Sequence, residues 1–446
     1  MSKNGKYYIC NNCGAQSSVW AGKCYSCGLW NTLEETVKVN VSDSKHSVKS
    51  KALNPSPLIK VSSQDHSRSK VNYGEVDRVL GGGIVKGAVM LFAGEPGIGK
   101  STLLMQIANK LAQSNKKILY ISGEESAFQI GMRAKRLGVT SENIELATSN
   151  ITDEIVATIL KSKFDLVIVD SIQTLQVEGI SSNAGSINQI SSSTNLLMSF
   201  AKQTDTSIII VGHVNKEGSI AGPKVLEHIV DAVFQLEGDR YGGFKLLRSI
   251  KNRYGSTNES ALFTMKDIGL EPVDNPSKAL LAERQATDGS IVLATIEGSR
   301  PVLVEVQALV NKTNFGYPKR TASGIELNRL NLLVAVLEKR TKLNLSDKDI
   351  FINIVGGIKI AEPAADLAIC MAIGSATKGL KLSQDAVVFG EVGLAGEVRH
   401  VPFIDKRINE AKKLGFKASI GAGKSEDSFH HTVKDVKHTL NDYLRQ

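Results

Sequence analysis

No apolar run in this sequence approaches the roughly 20 residues that a membrane-spanning helix requires. An apolar signal core is also missing near the start, because the stretch MSKNGK leads directly into cysteines. Only five cysteines occur in 446 residues, and disulfides are rare in a reducing compartment. These absences predict a soluble, cytoplasmic protein without a membrane partner, whose cysteines are not paired as disulfides.

The sequence has fewer acidic than basic residues: 45 Asp and Glu compared with 54 Lys and Arg, which gives a formal net charge of +9. An excess of this size favours an anionic partner such as nucleic acid, and it is equally compatible with an ordinary solvated surface. The length and the 42% hydrophobic content are sufficient for two or three domains with their own cores. Charge alone therefore leaves nucleic-acid binding open.

The motif with the clearest chemistry is GEPGIGKST at residues 94–102, which follows an apolar run and precedes a helical pattern. A strand, the pattern G-x-x-x-x-G-K-[ST] and a helix together indicate a phosphate-binding P-loop, whereas a chance glycine-rich turn rarely has this full context. Its glycines let backbone N–H groups approach phosphate oxygens, Lys100 reaches the β and γ phosphates, and Ser101 ligates Mg²⁺. We therefore predict that this loop binds ATP with Mg²⁺. The predicted nucleotide-binding residues are Gly94, Glu95, Pro96, Gly97, Ile98, Gly99, Lys100, Ser101 and Thr102.

Four of the cysteines form two C-x-x-C pairs, Cys10 with Cys13 and Cys24 with Cys27. Each pair can lie on a tight turn that directs two thiolates at one ion, so four sulfurs complete a tetrahedral zinc site with no open position. Two unrelated reducible pairs are the alternative, but so short a segment has too little core to fold without a metal. The spacing predicts a structural Zn²⁺ finger over residues 1–34, which serves as a folding device for a partner or DNA contact.

Three polar residues follow apolar, strand-like runs: Glu124, Asp170 and His213. Strands that alternate with helices predict a mostly parallel sheet whose ligand lies at the carboxyl ends of the strands. There Glu124 would orient the attacking water, Asp170 in a Walker B pattern would hold Mg²⁺ opposite Ser101, and His213 would sense the γ-phosphate. Each of the three alone is more often an ordinary polar strand end, whereas together they predict a hydrolytic site.

Composition divides the chain into four predicted segments. The zinc finger at 1–34 is followed by a flexible basic linker at 35–70, which is rich in Ser, Lys and Asn and lacks any helical or strand period. An ATPase domain occupies 71–275, and a second domain of mixed strands and helices occupies 276–446. The predicted fold class is α/β, a P-loop ATPase with a mostly parallel sheet, an N-terminal four-Cys finger and a C-terminal α+β domain.

Several motifs give the whole chain its resemblance to a known family: LGGG at 80–83, the P-loop, SGEES at 122–126, VGHVNKEG at 211–218 and KNRYG at 251–255. With the four-Cys finger, they resemble those of the bacterial RadA (Sms) DNA-repair ATPases, relatives of RecA and of hexameric replicative helicases. The family pattern has Phe where this chain has Tyr254, a departure that keeps an aromatic ring.

The resemblance implies ATP-driven work on single-stranded DNA and branched recombination intermediates. It also implies a homo-hexameric ring that drives branch migration beside a RecA-type recombinase. Lys251 and Arg253 would act across a subunit boundary on the neighbour's ATP, where a cation supplied in trans neutralises transition-state charge. Without the resemblance these two residues would be taken for ordinary surface cations after a strand.

Two polar stretches are expected to contact DNA, residues 177–189 and 214–228, the latter with Lys216 and Lys224. In RecA-like rings such loops face the central channel, where lysines and backbone amides can follow the phosphates of a single strand. Neither stretch has a clear stacking aromatic, so weak sequence preference and strong salt dependence are expected.

The second domain resembles the Lon protease domain through GGIKIAEPAAD at 356–366 and GEVGLAGEV at 390–398. The active form of that fold uses a Ser/Lys dyad, but Ala364 occupies the serine position and Asp405 the lysine position, with Lys406 one residue beyond. Without a nucleophile no acyl-enzyme can form, and an alternative serine such as Ser375 would lack a positioned base. The domain is therefore predicted to be a proteolytically inactive, ring-forming scaffold.

Two smaller expectations concern the same domain. Its basic residues Lys319, Arg320 and Arg329 are candidate DNA contacts, and Cys370, in an apolar run, is expected to be a buried small hydrophobe.

The leading hypothesis for the whole chain is a DNA-dependent ATPase motor that acts in homologous recombination and DNA repair. The rival is a RecA-like, ATP-binding regulatory protein that acts through a protein partner without translocating. The catalytic set Lys100, Glu124, Asp170, His213, Lys251 and Arg253 favours hydrolysis over the rival, and Ala364 disfavours a third reading, an ATP-dependent protease.

Overall fold

The computed structural model of the chain describes residues 6–10, 13, 15–37, 68–213, 225–238, 244–314, 316–423 and 428–444. Of the predicted linker at 35–70, residues 38–67 lie outside these ranges. The chain divides into two compact units, the first made of Met1–Pro96, Lys100–Phe234 and Ile250–Gly255, the second of Gly97–Gly99, Gln235–Ser249 and Ser256–Gln446.

The N-terminal part is a small ribbon of three antiparallel strands in the order β2-β1-β3. Its strands are β1 (Lys6–Cys10), β2 (Gln16–Ser17) and β3 (Leu33–Val37). Cys10 pairs with Leu33 across the β1–β3 ladder, so the first cysteine pair lies where β1 ends. Among the described ribbon residues the buried core consists of Cys10, Cys24 and Leu33.

The main sheet of the first unit contains parallel strands in the order β4-β8-β7-β5-β6. They are β4 (Val89–Gly94), β5 (Ile118–Ser122), β6 (Ile144–Thr148), β7 (Leu166–Asp170) and β8 (Ser207–His213). Strands β4 and β5 are buried throughout, and β7 and β8 are buried up to their last residue, as expected for parallel strands covered on both faces. The predicted parallel arrangement is confirmed.

Helices connect these strands and pack on the sheet through their apolar positions, for example Leu103, Leu104 and Ile107 of α2. They are α1 (Gly74–Val79), α2 (Lys100–Gln113), α3 (Ala127–Arg136), α4 (Thr152–Lys161), α5 (Ile187–Thr204) and α6 (Val225–Ile229). Helix α3 begins with a capping box formed by Ser126 and Gln129, directly after the SGEE turn. Strand β9 (Ala232–Gly238) follows α6, and the boundary between the units falls within it.

The second unit contains the antiparallel strands β10, β11 and β12 and a larger sheet in the order β15-β16-β14-β13-β17-β20-β21. The first three are β10 (Phe244–Asn252), which crosses the boundary between the units, β11 (Ser260–Lys266) and β12 (Gly269–Pro272). The others are β13 (Ser290–Glu297), β14 (Arg300–Lys312), β15 (Arg320–Ser323), β16 (Lys348–Ile354), β17 (Ala386–Val388), β20 (Ala418–Gly421) and β21 (His430–Thr432). A two-stranded ribbon is formed by β18 (Glu391–Val392) and β19 (Val398–Arg399).

Helices pack on this larger sheet around one extended apolar core. They are α7 (Pro276–Leu280), α8 (Leu327–Thr341), α9 (Asp366–Lys378), α10 (Ile404–Lys413) and α11 (Val436–Tyr443). Helix α9 is buried over its first ten residues, and burial raises the pKa of the Cys370 thiol within it, which confirms that this cysteine is a buried hydrophobe. Across the part of the chain that the structure describes, no helix is both long and apolar enough to cross a membrane.

Candidate nucleotide site and metal centre

The P-loop joins the end of β4 to the start of α2, in the strand–loop–helix context that the sequence predicted. Gly97 has φ +78° and Gly99 has φ +115°, backbone conformations that side-chain-bearing residues rarely adopt. Lys100 is the first residue of α2, and only 5% of it is exposed. The glycines at 97 and 99 therefore allow a tight turn that places Lys100 at the carboxyl edge of the parallel sheet.

The ammonium group of Lys100 lies among acceptors at this edge. Its Nζ donates to the carbonyl oxygens of Gly94 at 2.9 Å and Glu95 at 3.0 Å, and it lies 3.1 Å from Nδ1 of His213. Burial lowers the pKa of Lys100 to about 8, although Asp170 and Glu124 act in the opposite direction. The site thus holds a desolvated cation at the position where the motif places the phosphates.

Sheet register explains why the predicted catalytic residues meet. Gly94 is paired with His213 across β4 and β8, and Ser122 is paired with Asp170 across β5 and β7. Glu124 follows β5, and its Oε1 lies 3.4 Å from Nε2 of His213. The structure therefore joins Lys100, His213 and Glu124 through consecutive contacts, with Asp170 on the neighbouring strand end.

Sequence reasoning missed two residues that hold the acidic groups. The hydroxyl of Tyr120 donates to Oδ2 of Asp170 at 2.7 Å. Burial and the Asp170 carboxylate raise the pKa of Tyr120, which keeps the phenol protonated as a donor. The hydroxyl of Ser171 donates to Oε1 of Glu124. Two features of the sequence could have indicated these residues. Tyr120 lies within an otherwise mostly aliphatic strand, and Ser171 directly follows the Walker B acid.

The KNRYG motif is organised by Asp231, another residue that sequence reasoning missed. This carboxylate is 2% exposed, accepts from the backbone N–H of Val89 at 3.1 Å, and pairs with Nη1 of Arg253 at 3.1 Å. Burial and Asp231 raise the pKa of Tyr254 to about 12. Nζ of Lys251 donates to the carbonyl oxygens of Glu227 at 2.5 Å and Val230 at 2.8 Å. An acid directly before a buried strand was the only hint in the sequence.

The same motif packs against the LGGG motif. The side-chain amide of Asn252 donates to the carbonyl of Leu80 at 3.4 Å, and a Cβ built on Gly81 would lie 3.2 Å from Cα of Gly255. A contact between residues 172 positions apart in the sequence thus joins the two motifs into one structural feature of the first unit.

The four ribbon cysteines lie together in a geometry that fits zinc. Their sulfurs are all within 4.8 Å of one another, and the pairs Cys10–Cys27 and Cys13–Cys24 are both 3.6 Å apart. A tetrahedral zinc with Zn–S bonds of about 2.3 Å separates its sulfurs by about 3.8 Å. The four predicted ligands are therefore brought to one point, and the chain has a four-Cys zinc ribbon.

In the second unit, the positions that match a protease dyad hold no catalytic pair. Ala364 is fully buried, and Asp405 and Lys406 are exposed, with Nζ of Lys406 3.3 Å from the carbonyl of Ser299. The buried cation of this region is Arg407, which donates to the carboxylate of Glu362. Ser375 is also fully buried, and its hydroxyl donates to the carbonyl of Leu380 at 2.5 Å.

The candidate DNA contacts have different outcomes. Lys216 and Lys224 lie outside the described residues. Lys319 is exposed, whereas Arg320 donates to the carbonyls of Lys319 and Leu345 at 3.2 and 2.9 Å. Arg329, which the sequence also suggested, makes a two-pronged ion pair with Asp366. A DNA role for these residues stays a prediction.

Family models match three parts of the chain. A model described as rubredoxin metal binding domain matches residues 8–35, one described as AAA domain matches 55–219, and one described as subunit ChlI of Mg-chelatase matches 329–424.

Curated relatives match almost the whole chain. The DNA repair protein RadA of Aquifex aeolicus is 47% identical, with 94% of each chain covered. The proteins of the same name from Halalkalibacterium halodurans and Bacillus subtilis are both 46% identical, with 94% of this chain and 93% of the relative covered.

Proposed function

Because this chain belongs to the RadA family of DNA repair proteins, we propose that it is a DNA-dependent ATP hydrolase that acts in recombinational repair. The observation that carries the proposal is the set of contacts from Lys100 through His213 to Glu124 at the carboxyl edge of the parallel sheet. A phosphate-binding cation and a carboxylate that can orient water are the two groups that phosphoryl transfer to water requires.

The chemistry and contacts of each proposed catalytic side chain indicate its role. Lys100 binds the β and γ phosphates, and a phosphate beside it favours its charged form, against the effect of burial. Glu124, held by Ser171, orients the attacking water. Ser101 and Asp170 would hold Mg²⁺, which neutralises phosphate charge when it is bound.

His213 supports the coupling of hydrolysis to DNA. It contacts Lys100 and Glu124, and it is the last residue of β8, directly before the segment 214–228 that is predicted to contact DNA. A strand of DNA bound to that segment can therefore change the position of a residue that touches both catalytic groups. Coupling through one shared residue requires no long-range pathway.

The positions of Lys251 and Arg253 support a role in trans. Both are held near Asp231, which bonds the backbone of Val89 at the start of β4, whereas the P-loop begins at the other end of that strand. Strand β4 has six residues, and at about 3.3 Å of rise per residue its ends lie roughly 16 Å apart. These cations therefore lie away from their own phosphate site, as a residue that serves a neighbouring subunit must.

A cation that serves the neighbour's site requires repeated contacts between subunits, and we infer that these close into a homo-hexameric ring that encircles single-stranded DNA. Its movement drives branch migration of recombination intermediates, beside a RecA-type recombinase. The Lon-like second domain is a scaffold rather than a protease, because Ala364 supplies no nucleophile and the hydroxyl of Ser375 is buried and committed to a carbonyl.

The test is the ATPase rate of the full chain with and without single-stranded DNA, at low salt. We expect DNA to raise kcat several-fold, and Lys100→Ala to abolish hydrolysis under both conditions. A rate that DNA leaves unchanged would contradict the motor and favour a regulatory protein that acts through a protein partner.

A further inference from the structure

The zinc ribbon exposes both tryptophans of the chain. The sequence contains two, Trp20 and Trp30, and they are 57% and 69% exposed. A Cβ built on Gly22 would lie 3.5 Å from the ring of Trp30 and 4.0 Å from the ring of Trp20, so the two indoles approach the same glycine. One edge of each six-membered ring therefore lies within 4.0 Å of the same point on the ribbon.

These indoles are not needed to build the ribbon. The buried residues described there are Cys10, Cys24 and Leu33, with Tyr8, Ala15 and Cys27 packed against them. Indole is among the largest apolar surfaces that a side chain offers, and two exposed together are characteristic of a contact surface rather than of a scaffold.

A positive charge accompanies the rings. Lys23 pairs with Trp30 across an antiparallel bridge, and its Nζ lies 5.8 Å from the centre of the Trp30 ring. Between residues 7 and 33 the sequence has no acidic residue, and Lys23 is its one charged residue. The surface formed by Trp20, Lys23 and Trp30, here called the ribbon patch, thus combines two π faces with a cation and no nearby carboxylate from its own segment.

We propose that the ribbon patch binds an unpaired DNA strand, with bases stacked on Trp20 and Trp30 and a phosphate beside Lys23. Flat aromatic faces beside a basic group bind single strands without sequence preference, because every base has a π face. A duplex hides those faces, so the patch selects unpaired DNA. This inference rests on the proposed DNA-dependent ATPase and adds a second contact, separate from the loops of the core, which have no clear stacking aromatic.

The chain contains its own reporter for this contact, because all its tryptophan fluorescence arises from the patch. The zinc-loaded full chain is titrated with an oligothymidylate, while the fluorescence anisotropy of a dye on the same oligonucleotide measures total binding independently. We expect tryptophan emission to be quenched in parallel with the rise in anisotropy. A blunt duplex of the same length is the matched probe and is expected to leave the emission unchanged.

Variants separate stacking from general apolar contact. Trp20→Leu and Trp30→Leu keep an apolar side chain and remove the ring, and each is expected to weaken binding about 5- to 150-fold, since one stacked base contributes about 1–3 kcal/mol. Trp20→Phe keeps a ring and most of the affinity, and its remaining Trp30 still reports quenching. Tyr317→Leu is the control for loss of an exposed aromatic, since Tyr317 is 88% exposed in the second unit. Zinc content of one per chain verifies the fold of each ribbon variant.

The outcomes distinguish this inference from the function on which it rests. DNA-stimulated ATP hydrolysis with unquenched tryptophan and unchanged affinity in both Leu variants would overturn the stacking role and assign the patch to a protein contact. Absence of any DNA binding or stimulation in the unaltered chain would overturn both proposals together.

Discussion

At the scale of single residues, the acidic groups of the nucleotide site depend on neutral hydroxyl donors. Ser171 donates to Glu124, and Tyr120 donates to Asp170. A hydrogen bond to a carboxylate fixes its orientation and contributes about 1.5–3 kcal/mol. These two donors therefore orient the two carboxylates that we propose as catalytic groups.

Removal of the Ser171 hydroxyl is expected to slow catalysis without weakening nucleotide binding. Ser171→Ala should lower kcat about 10-fold or more at an almost unchanged KM, because Glu124 loses its fixed orientation. Ser171→Thr keeps a hydroxyl and should recover part of the rate. Glu124→Gln, which tests the carboxylate itself, should bind ATP but hardly hydrolyse it. Ser199→Ala, an exposed change on α5, is the control. A normal rate for Ser171→Ala or for Glu124→Gln would remove that residue from its assigned role.

A buried carboxyl in the second unit makes stability depend on pH. Oε2 of Glu297 lies 2.8 Å from Nη2 of Arg248, yet burial outweighs that attraction and, with Glu237 and Glu362 nearby, raises the pKa of Glu297 to about 7 from an ordinary 4.5. Between these values the folded chain holds a proton that the unfolded chain has lost. The stability that this proton contributes is fully present below about pH 4.5 and is lost as the pH rises through 7.

Glu297→Gln should therefore gain stability relative to the unaltered chain as the pH rises. We expect the difference in melting temperature between variant and unaltered chain to shift by a few degrees in favour of the variant from pH 5 to pH 8, measured by scanning calorimetry. Glu283→Gln, at an exposed glutamate, should show no such shift. A constant difference for Glu297→Gln would mean that Arg248 keeps this carboxyl ionised.

At the scale of elements, the zinc ribbon is the part of the chain with the least apolar support. Its three strands are short, and its described buried residues are two cysteines and one leucine. A core of this size cannot offset the conformational entropy of ordering the ribbon. Metal binding supplies that free energy, so the ribbon and its zinc form together.

Chelation of zinc should unfold the ribbon and leave the nucleotide domain folded. We expect one zinc per chain by metal analysis, and new, rapid proteolytic cleavage within residues 1–34 after treatment with a strong chelator. Cys13→Ala should reproduce this pattern, whereas Cys370→Ala should retain its zinc. A metal-free chain whose ribbon resists the protease would show that the four cysteines fold without the ion.

At the scale of the whole molecule, the separation of Lys251 from its own P-loop makes complementation between subunits possible. Lys100→Ala and Lys251→Ala chains are each expected to be inactive alone. In the proposed ring, mixed subunits would create interfaces at which an intact P-loop faces an intact Lys251 of the neighbour. A cation supplied in trans contributes about 10³ to 10⁵ in rate, so even a few repaired interfaces should be measurable.

We therefore expect the mixture to recover part of the ATPase activity, with a maximum at an intermediate mixing ratio. Light scattering establishes whether mixed rings form, and a chain that carries both substitutions, mixed with Lys100→Ala, is the matched control that should stay inactive. Co-assembled rings as inactive as either parent would contradict the trans assignment.

The sequence by itself determined the features that are local along the chain. The P-loop, the four zinc ligands and the acid that ends β7 are identified within a few consecutive residues, because their chemistry depends on backbone turns and residue types at fixed spacing. The parallel sheet also followed from local alternation of strands and helices. These predictions required no knowledge of which distant residues would meet.

Only the tertiary structure decided the partners that come from elsewhere in the chain. Asp231 pairs with Arg253 of the KNRYG motif, 22 positions away. Ser171 donates to Glu124, 47 positions away, and Arg329 donates to Asp366, 37 positions away. No period or spacing encodes such pairs, since sheet register and helix packing determine which side chains adjoin. For the same reason the positive charges of Arg320 and Arg329 were evident in the sequence, whereas the fold decided that their guanidinium groups bond their own chain.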